Sequence, residues 1–277
     1  MNLPTNWHGK IDLVYSHNNG KTEIKSAFCQ APLKIQRAFY PEGNSICYSV
    51  ILHTAGGIVG GDILTQNIYL SPNSHVLITT PSATKIYRSE KKKATQEILI
   101  KLENNSYLEY LPQEIIVFNK SQFQQKLRVE LGNNATWLGW EIIRFGRSAR
   151  GETFTDGQWL NYTEVWQENK PLWIDRQSFS GDSQLFSAVN GLADKPVIGS
   201  LIFISSNPVE DFLPFIKELI NSKFNQITLG VTTLQQGILC RYHGNSVSEA
   251  KNCLITIWQL LRKKQGFNSL IKPRVWL

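Results

Sequence analysis

Short stretches in which apolar and polar residues alternate recur every 8 to 12 residues from about residue 10 to residue 180. In LRVEL, Leu127, Val129 and Leu131 share one face while Arg128 and Glu130 take the other, the period-two pattern of a half-buried strand. TEIKSAF places Ile24 and Phe28 together in the same way. SICYSVIL, DILTQNIYL, HVLITT, TKIYRS, EILIKL, YLEYL, EIIVF, TWLGWEIIRF, YTEVW and PLWIDRQ continue the series, rich in β-branched and aromatic residues and separated mostly by Gly, Asn, Pro or Ser. This spacing predicts a mainly β fold of sandwich, barrel or stacked type.

Two helical patterns follow near the end. In NPVEDFLPFIKELINSK, Asn207 can cap, Pro208 suits the first helical position, and Phe212, Phe215, Ile216, Leu219 and Ile220 follow at helical spacing, with Pro214 weakening the first turn. In SVSEAKNCLITIWQLLRKKQG, a serine cap leads to an apolar side of Cys253, Leu254, Ile257, Trp258 and Leu261. Basic residues and Gly266 end it. No linker or repeat of fixed period divides the chain, so one domain over 1–277 is expected, with a helix-containing part from about 200.

Composition changes this picture little. With 42% hydrophobic and 18% charged residues in 277, the chain suits an ordered globular protein. The net charge of +7 is concentrated: Lys85 to Lys93 carries a net +4 and Arg262 to Arg274 a net +5. Two local patches fit acidic protein partners at least as well as nucleic acid. Cys29, Cys47, Cys240 and Cys253 form no CxxC pair and no disulfide framework, and no secretory or membrane-spanning pattern is visible. A soluble cytoplasmic protein is the expectation.

The most unusual segment is HTAGGIVGGDIL, with Gly56, Gly57, Gly60 and Gly61 leading to Asp62. A phosphate cradle fails here, because an aspartate stands where a P-loop needs Lys and Ser/Thr, and a strand pattern follows where a dinucleotide fold needs a helix. A glycine-built turn between buried strands accounts for the pattern. Asp62, Glu114, Glu141, Glu152 and Asp175 each adjoin an apolar or aromatic stretch. Buried, each must be hydrogen-bonded, paired with an arginine such as Arg88, Arg144, Arg147, Arg150 or Arg176, or bound to a cation. An aligned set with water between would make a weak, exchangeable cation path. His8, His17, His53, His75 and His243 form no metal-ligand or catalytic motif. A hydrolase using Asp62 or Glu114 with His53, and a basic β-type nucleic-acid-binding protein, are the alternative classes.

Taken in order, HTAGGIVGGD, TTPSATKIYRS, LEYLPQEIIVF, WEIIRFGRSARGE, PLWIDRQ and the terminal KPRVW resemble the urease accessory proteins called UreD, or UreH in some organisms. The resemblance runs from about residue 8 to residue 276. It implies a stacked, β-helical-like β-sheet fold with a few α-helices, and a non-enzymatic scaffold and nickel-transfer chaperone. The implied partners are apo-urease, the helical accessory protein UreF and, through UreF, the GTP-hydrolysing UreG, in a hetero-oligomer with two copies.

On that resemblance Asp62, Glu114, Glu141, Glu152 and Asp175 would line a weak nickel passage, with the hydroxyls of Thr80, Ser82 and Thr84. Nickel(II) would be in transit and no cofactor tightly bound. Other members often have glutamate at the position of Asp175, which has a shorter arm. Lys85, Arg88, Lys91, Lys92 and Lys93, with Arg262, Lys263 and Lys264, would meet acidic partner surfaces or order an acidic interior stretch; a solvated face is the plain alternative.

Overall fold

The strand pattern turns into two facing sheets, seen in a computed structural model that describes residues 6–90, 92–206, 212–224, 226–267 and 271–276. In chain order the strands are β1 (His8–Asn18), β2 (Lys21–Gln30), β3 (Leu33–Ile35), β4 (Ile46–His53), β5 (Ile63–Leu70) and β6 (His75–Thr79). Then come β7 (Thr84–Ile86), β8 (Ala94–Leu102), β9 (Tyr107–Leu111), β10 (Ile115–Val117), β11 (Gln122–Leu131) and β12 (Thr136–Phe145). The last are β13 (Gln158–Gln167), β14 (Lys170–Ser180), β15 (Val197–Ile204), β16 (Thr228–Leu234) and β17 (Gly237–Gly244). Among the described residues the α-helices α1 (Ser183–Ser187), α2 (Phe212–Lys223) and α3 (Val247–Lys264) lie among or after them.

From β4 to β13 the longer strands enter the two sheets by turns, so successive coils stack as a flattened solenoid. One sheet has the order β14-β13-β11-β8-β5-β1-β2, parallel from β13 to β1 and antiparallel at both ends. The other has the order β16-β17-β15-β12-β9-β6-β4-β3, parallel from β12 to β4. The short β7 and β10 extend it beside β12. At one end of the coils Asn73, Asn105 and Asn134 all take positive φ, at 62°, 58° and 56°. Asparagine tolerates that conformation. Their amides stack, Asn105 Nδ2 donating to Asn73 Oδ1 and Asn134 Nδ2 to Asn105 Oδ1, each at 3.4 Å.

Burial follows from three layers. Ile11, Leu13, Ile68, Ile100, Val129 and Val165 pack between the sheets against Val76, Ile78 and Trp137. Tyr48, Leu77, Leu138, Trp140, Phe203 and Cys240 pack on the other side of the second sheet against Ile216, Leu254 and Trp258 of α2 and α3. A strand covered on both faces reads as a continuous apolar run, which is why TWLGWEIIRF shows no alternation.

The C-terminal part holds more than helices. β15, β16 and β17 interleave with them, and β15 pairs antiparallel with β12. The Asn207 cap and its Pro208 lie outside the described residues. α3 matches its pattern: Ser246 Oγ accepts from Glu249 N at 3.2 Å, and Gly266 follows at φ 85°. A register shift in β1 opposite β2 separates Ile24, which packs on the core, from Phe28, which is exposed beside Lys10.

Arg262 does not belong to a partner-facing patch. It lies one turn beyond Trp258 on the buried side of α3 and is wholly inaccessible. Its guanidinium is 2.7 Å from Glu42 Oε1 and 3.3 Å from Glu109 Oε1, and it stacks over Trp258 and Phe267. Glu109 also accepts from Trp258 Nε1 at 2.7 Å and lies 3.5 Å from His75 Nε2. Burial pushes the Glu109 carboxyl up, but the His75 bond and the Arg262 charge outweigh it and hold it below the usual range. Nearby, Trp276 of the KPRVW motif packs on Trp140 and Trp258 and donates to Thr79 Oγ1 at 2.8 Å. Arg262→Met leaves two carboxylates buried without their cation, and is expected to cost about 3–5 kcal/mol in urea unfolding at neutral pH. The loss should shrink on acidification, where those carboxylates can be protonated.

Candidate functional site

Between the two sheets the apolar packing gives way at one level to polar side chains. Ladder pairing places Glu141 of β12 beside Ser200 of β15, and Ser200 beside Arg241 of β17. In the opposite sheet Gln125 of β11 pairs with Asn161 of β13, and Asn161 with Gln177 of β14. The rows meet across the gap. Glu141 accepts from Gln125 Nε2 at 2.8 Å and from Asn161 Nδ2 at 2.5 Å. Asp175 of β14 accepts from Arg241 at 2.7 Å and from Gln177 at 2.5 Å, while Arg241 also donates to Ser200 Oγ at 3.1 Å.

This polar layer borders a cavity of about 580 Å³. Glu141 and Asp175 both line it, as do Thr80, Ser82, Thr84 and Lys85. Burial and the negative charge of Asp175 push the Glu141 carboxyl up to about 7, against the opposing pull of Arg241, Gln125 and Asn161. His53 also lines the cavity with both ring nitrogens buried and unpartnered, and burial pushes its imidazole down against the pull of Asp62.

The five acids singled out by sequence do not share this cavity. Asp62 is fully buried in the glycine turn, where Oδ1 accepts from Trp7 N and Oδ2 from Val59 N, each at 2.9 Å. Gly61 has φ 95°, and a Cβ on Gly60 would meet Ser89 Oγ at 1.9 Å and Lys92 O at 2.5 Å, so both positions require glycine. Glu114 is partly buried, 4.0 Å from Lys251 Nζ. Glu152 pairs with Arg147 and accepts from Asn119 N at 3.0 Å. Burial raises its carboxyl, but the Arg147 bond wins and holds it low. The hydrolase alternative needs Asp62 or Glu114 beside His53 in a cleft, and of these three His53 alone lines the cavity.

Among the basic residues, Lys85 and Arg88 are exposed, Lys92 donates to Asn6 Oδ1 at 3.2 Å and Lys93 to Gln124 Oε1 at 3.1 Å. Lys263 and Lys264 are exposed, with Lys264 over the Phe215 ring. Lys91 lies outside the described residues. Sequence reasoning missed Gln125, Asn161, Ser200 and Arg241. A polar residue on the inward face of each of four strands was the available signal, but strand order is needed to bring them together. Among the described residues no group of three or more His, Cys, Asp or Glu could hold a metal ion, and no helix is long and apolar enough to cross a membrane.

The model of the family described as UreD urease accessory protein matches residues 8–277. The chain is similar to a urease accessory protein UreD of Trichormus variabilis, 50% identical over 270 residues that cover 98% of this chain and 96% of that one. A UreD of Nostoc punctiforme is 49% identical over the same shares, and one of Synechocystis sp. is 36% identical over 94% of this chain and 97% of its own.

The raised Glu141 carboxyl has a measurable consequence. Between about pH 4.3, where a glutamate ionises in the unfolded chain, and about 7, the folded protein holds a proton that the unfolded one releases. This contribution is fully present below that window and is lost as pH rises through it. Glu141→Gln cannot titrate, so thermal melts from pH 5 to pH 8 should shift in favour of the variant. A pH-independent difference between the two proteins would contradict the assignment.

Proposed function

This chain belongs to the UreD family of urease accessory proteins, and from that premise we propose that it passes nickel, as a hydrated cargo ion, to apo-urease through the cavity between its two sheets. The observation that carries this reading is the convergence of Glu141 and Asp175 from opposite sheets on one cavity that Thr80, Ser82 and Thr84 also line. Carboxylate, hydroxyl and water oxygens suit a hydrated dication, and a sparse set of them releases it readily. A cage of imidazole and thiolate would favour retention.

The remaining assignments follow from the same role. The family consists of accessory proteins rather than enzymes. We place apo-urease and UreF on separate faces of the chain and UreG behind UreF, in a cytoplasmic hetero-oligomer with two copies. Lys85, Arg88, Lys92 and Lys93 would meet acidic surfaces of these partners.

The test is a Glu141→Gln, Asp175→Asn variant co-produced with urease and the other accessory proteins. Pull-down should recover the same assembly, while the nickel content and activity of the urease should fall by roughly tenfold, as for loss of groups that orient a metal. Undiminished nickel loading in an intact assembly would reject the passage.

A further inference from the structure

A second concave site lies away from the polar layer, where Tyr87, Arg88, Phe118, Lys120, Arg147 and Arg150 surround a cavity of about 390 Å³. Its floor is aromatic: Tyr87 and Phe118 meet edge to face at 5.1 Å, and the Arg147 guanidinium lies over the Phe118 ring. One carboxylate is already seated there. Glu152 accepts from Arg147 Nε at 2.9 Å and from Asn119 N at 3.0 Å. Arg88, Lys120 and Arg150 are exposed, and no ion pair joins any of them to another described residue. Four cations thus face one acid.

We propose that this pocket receives a carboxylate side chain from an acidic segment of a protein partner. Charge complementarity fixes the sign of the ligand. Backbone geometry favours a carboxylate over a phosphate held in a backbone cradle, and competition by phosphate against acetate decides between the two anions. Phosphate cradles are built from converging backbone N–H groups, and here the amides of Tyr87, Phe118, Lys120 and Arg150 all donate to carbonyls of the fold. The free donors are side-chain guanidinium and ammonium groups, and arginine forks match carboxylates in the way Arg147 already holds Glu152. The aromatic floor of Tyr87 and Phe118 fits a polypeptide, and the glycine turn beside Tyr87 leads to further exposed apolar side chains. Val59 follows Ile58, which brackets Tyr87 through the bonds Ile58 N to Lys85 O and Tyr87 N to Ile58 O, both 2.8 Å. The Asp62 carboxylate clips the amides of Val59 and Trp7 together, and Trp7, Val59 and Ile63 all expose apolar side chains.

The pocket can be probed on the full chain with a fluorescent hexaglutamate peptide, using hexaglutamine as the uncharged control and anisotropy as the readout. Hexaglutamate should bind, hexaglutamine should not, and Lys120→Glu with Arg150→Glu should weaken binding by about tenfold or more, since charge-assisted hydrogen bonds are lost. Lys223→Glu, a reversal at the end of α2, should leave binding unchanged. The proposal is overturned if Lys223→Glu weakens binding as much, if the pocket variants have no effect, or if inorganic phosphate displaces the peptide where equal acetate does not. None of these readouts depends on cation passage, so the two readings fail separately.

Discussion

The sandwich rests on a constraint that its sequence meets in an unusual way: where Glu141 stands between two sheets, the facing strands must satisfy a carboxylate. An unpaired charge there would cost several kcal/mol. The response is graded. Asp175 has an arginine at 2.7 Å, whereas Glu141 has only the amides of Gln125 and Asn161. Burial and the negative charge of Asp175 therefore push its pKa up to about 7, since neutral donors oppose them less than a directly bonded arginine would. One acid is held by a cation and the other by dipoles. The polar layer borders an open cavity where a fully apolar interface would close.

Strand β9 shows how this arrangement coexists with a firm core. Alternation sends Glu109 toward the helices and Tyr110 toward the cavity, where its hydroxyl lies 3.5 Å from Gln66. On the helical side Glu109 meets Arg262, Trp258 and His75 in a closed ionic cluster. The same strand therefore forms part of a locked layer on one face and borders the cavity on the other. Trp276 reinforces the locked side, bridging Trp140 of β12 and Trp258 of α3.

How much of this was legible depends on whether a feature is local. LRVEL reads as a strand because its alternation is complete within the element, and α3 reads as a helix because its cap and apolar stripe are contiguous. Arg262 was legible only as one of two alternatives, a partner contact or an order-giving charge for interior acids, for the complementary reason. Beside Lys263 and Lys264 it resembles part of a basic helix end, and only the fold brings to it Glu42, from the turn before β4, and Glu109, from strand β9. β15 to β17 were missed because VIGSLIFI is covered on both faces and shows no period. The stacked coils left a faint trace in PNS, NNS and NNA, whose asparagines mark successive turns at irregular spacing. Gln125 and Asn161 gave no warning as site residues, since an inward polar residue on one strand gains meaning only from the strand opposite.

The glycine segment shows how a motif can be read correctly in conformation and differently in chemistry. Its glycines do form a turn between buried strands, with Gly60 abutting Ser89 and Gly61 in the left-handed region. Asp62, which follows them, has both carboxylate oxygens engaged by backbone amides. A carboxylate so held is poorly placed to accompany a mobile cation, but it is well placed to fix the chain around it. Fixing Val59 holds the turn next to Ile58, whose backbone brackets Tyr87, on a segment distinct from the strands that carry Glu141 and Asp175. The acidic residues thus divide by their partners: Asp62 and Glu152 are held by backbone amides and an arginine away from the cavity, whereas Glu141, held by neutral side chains, faces it together with the arginine-paired Asp175.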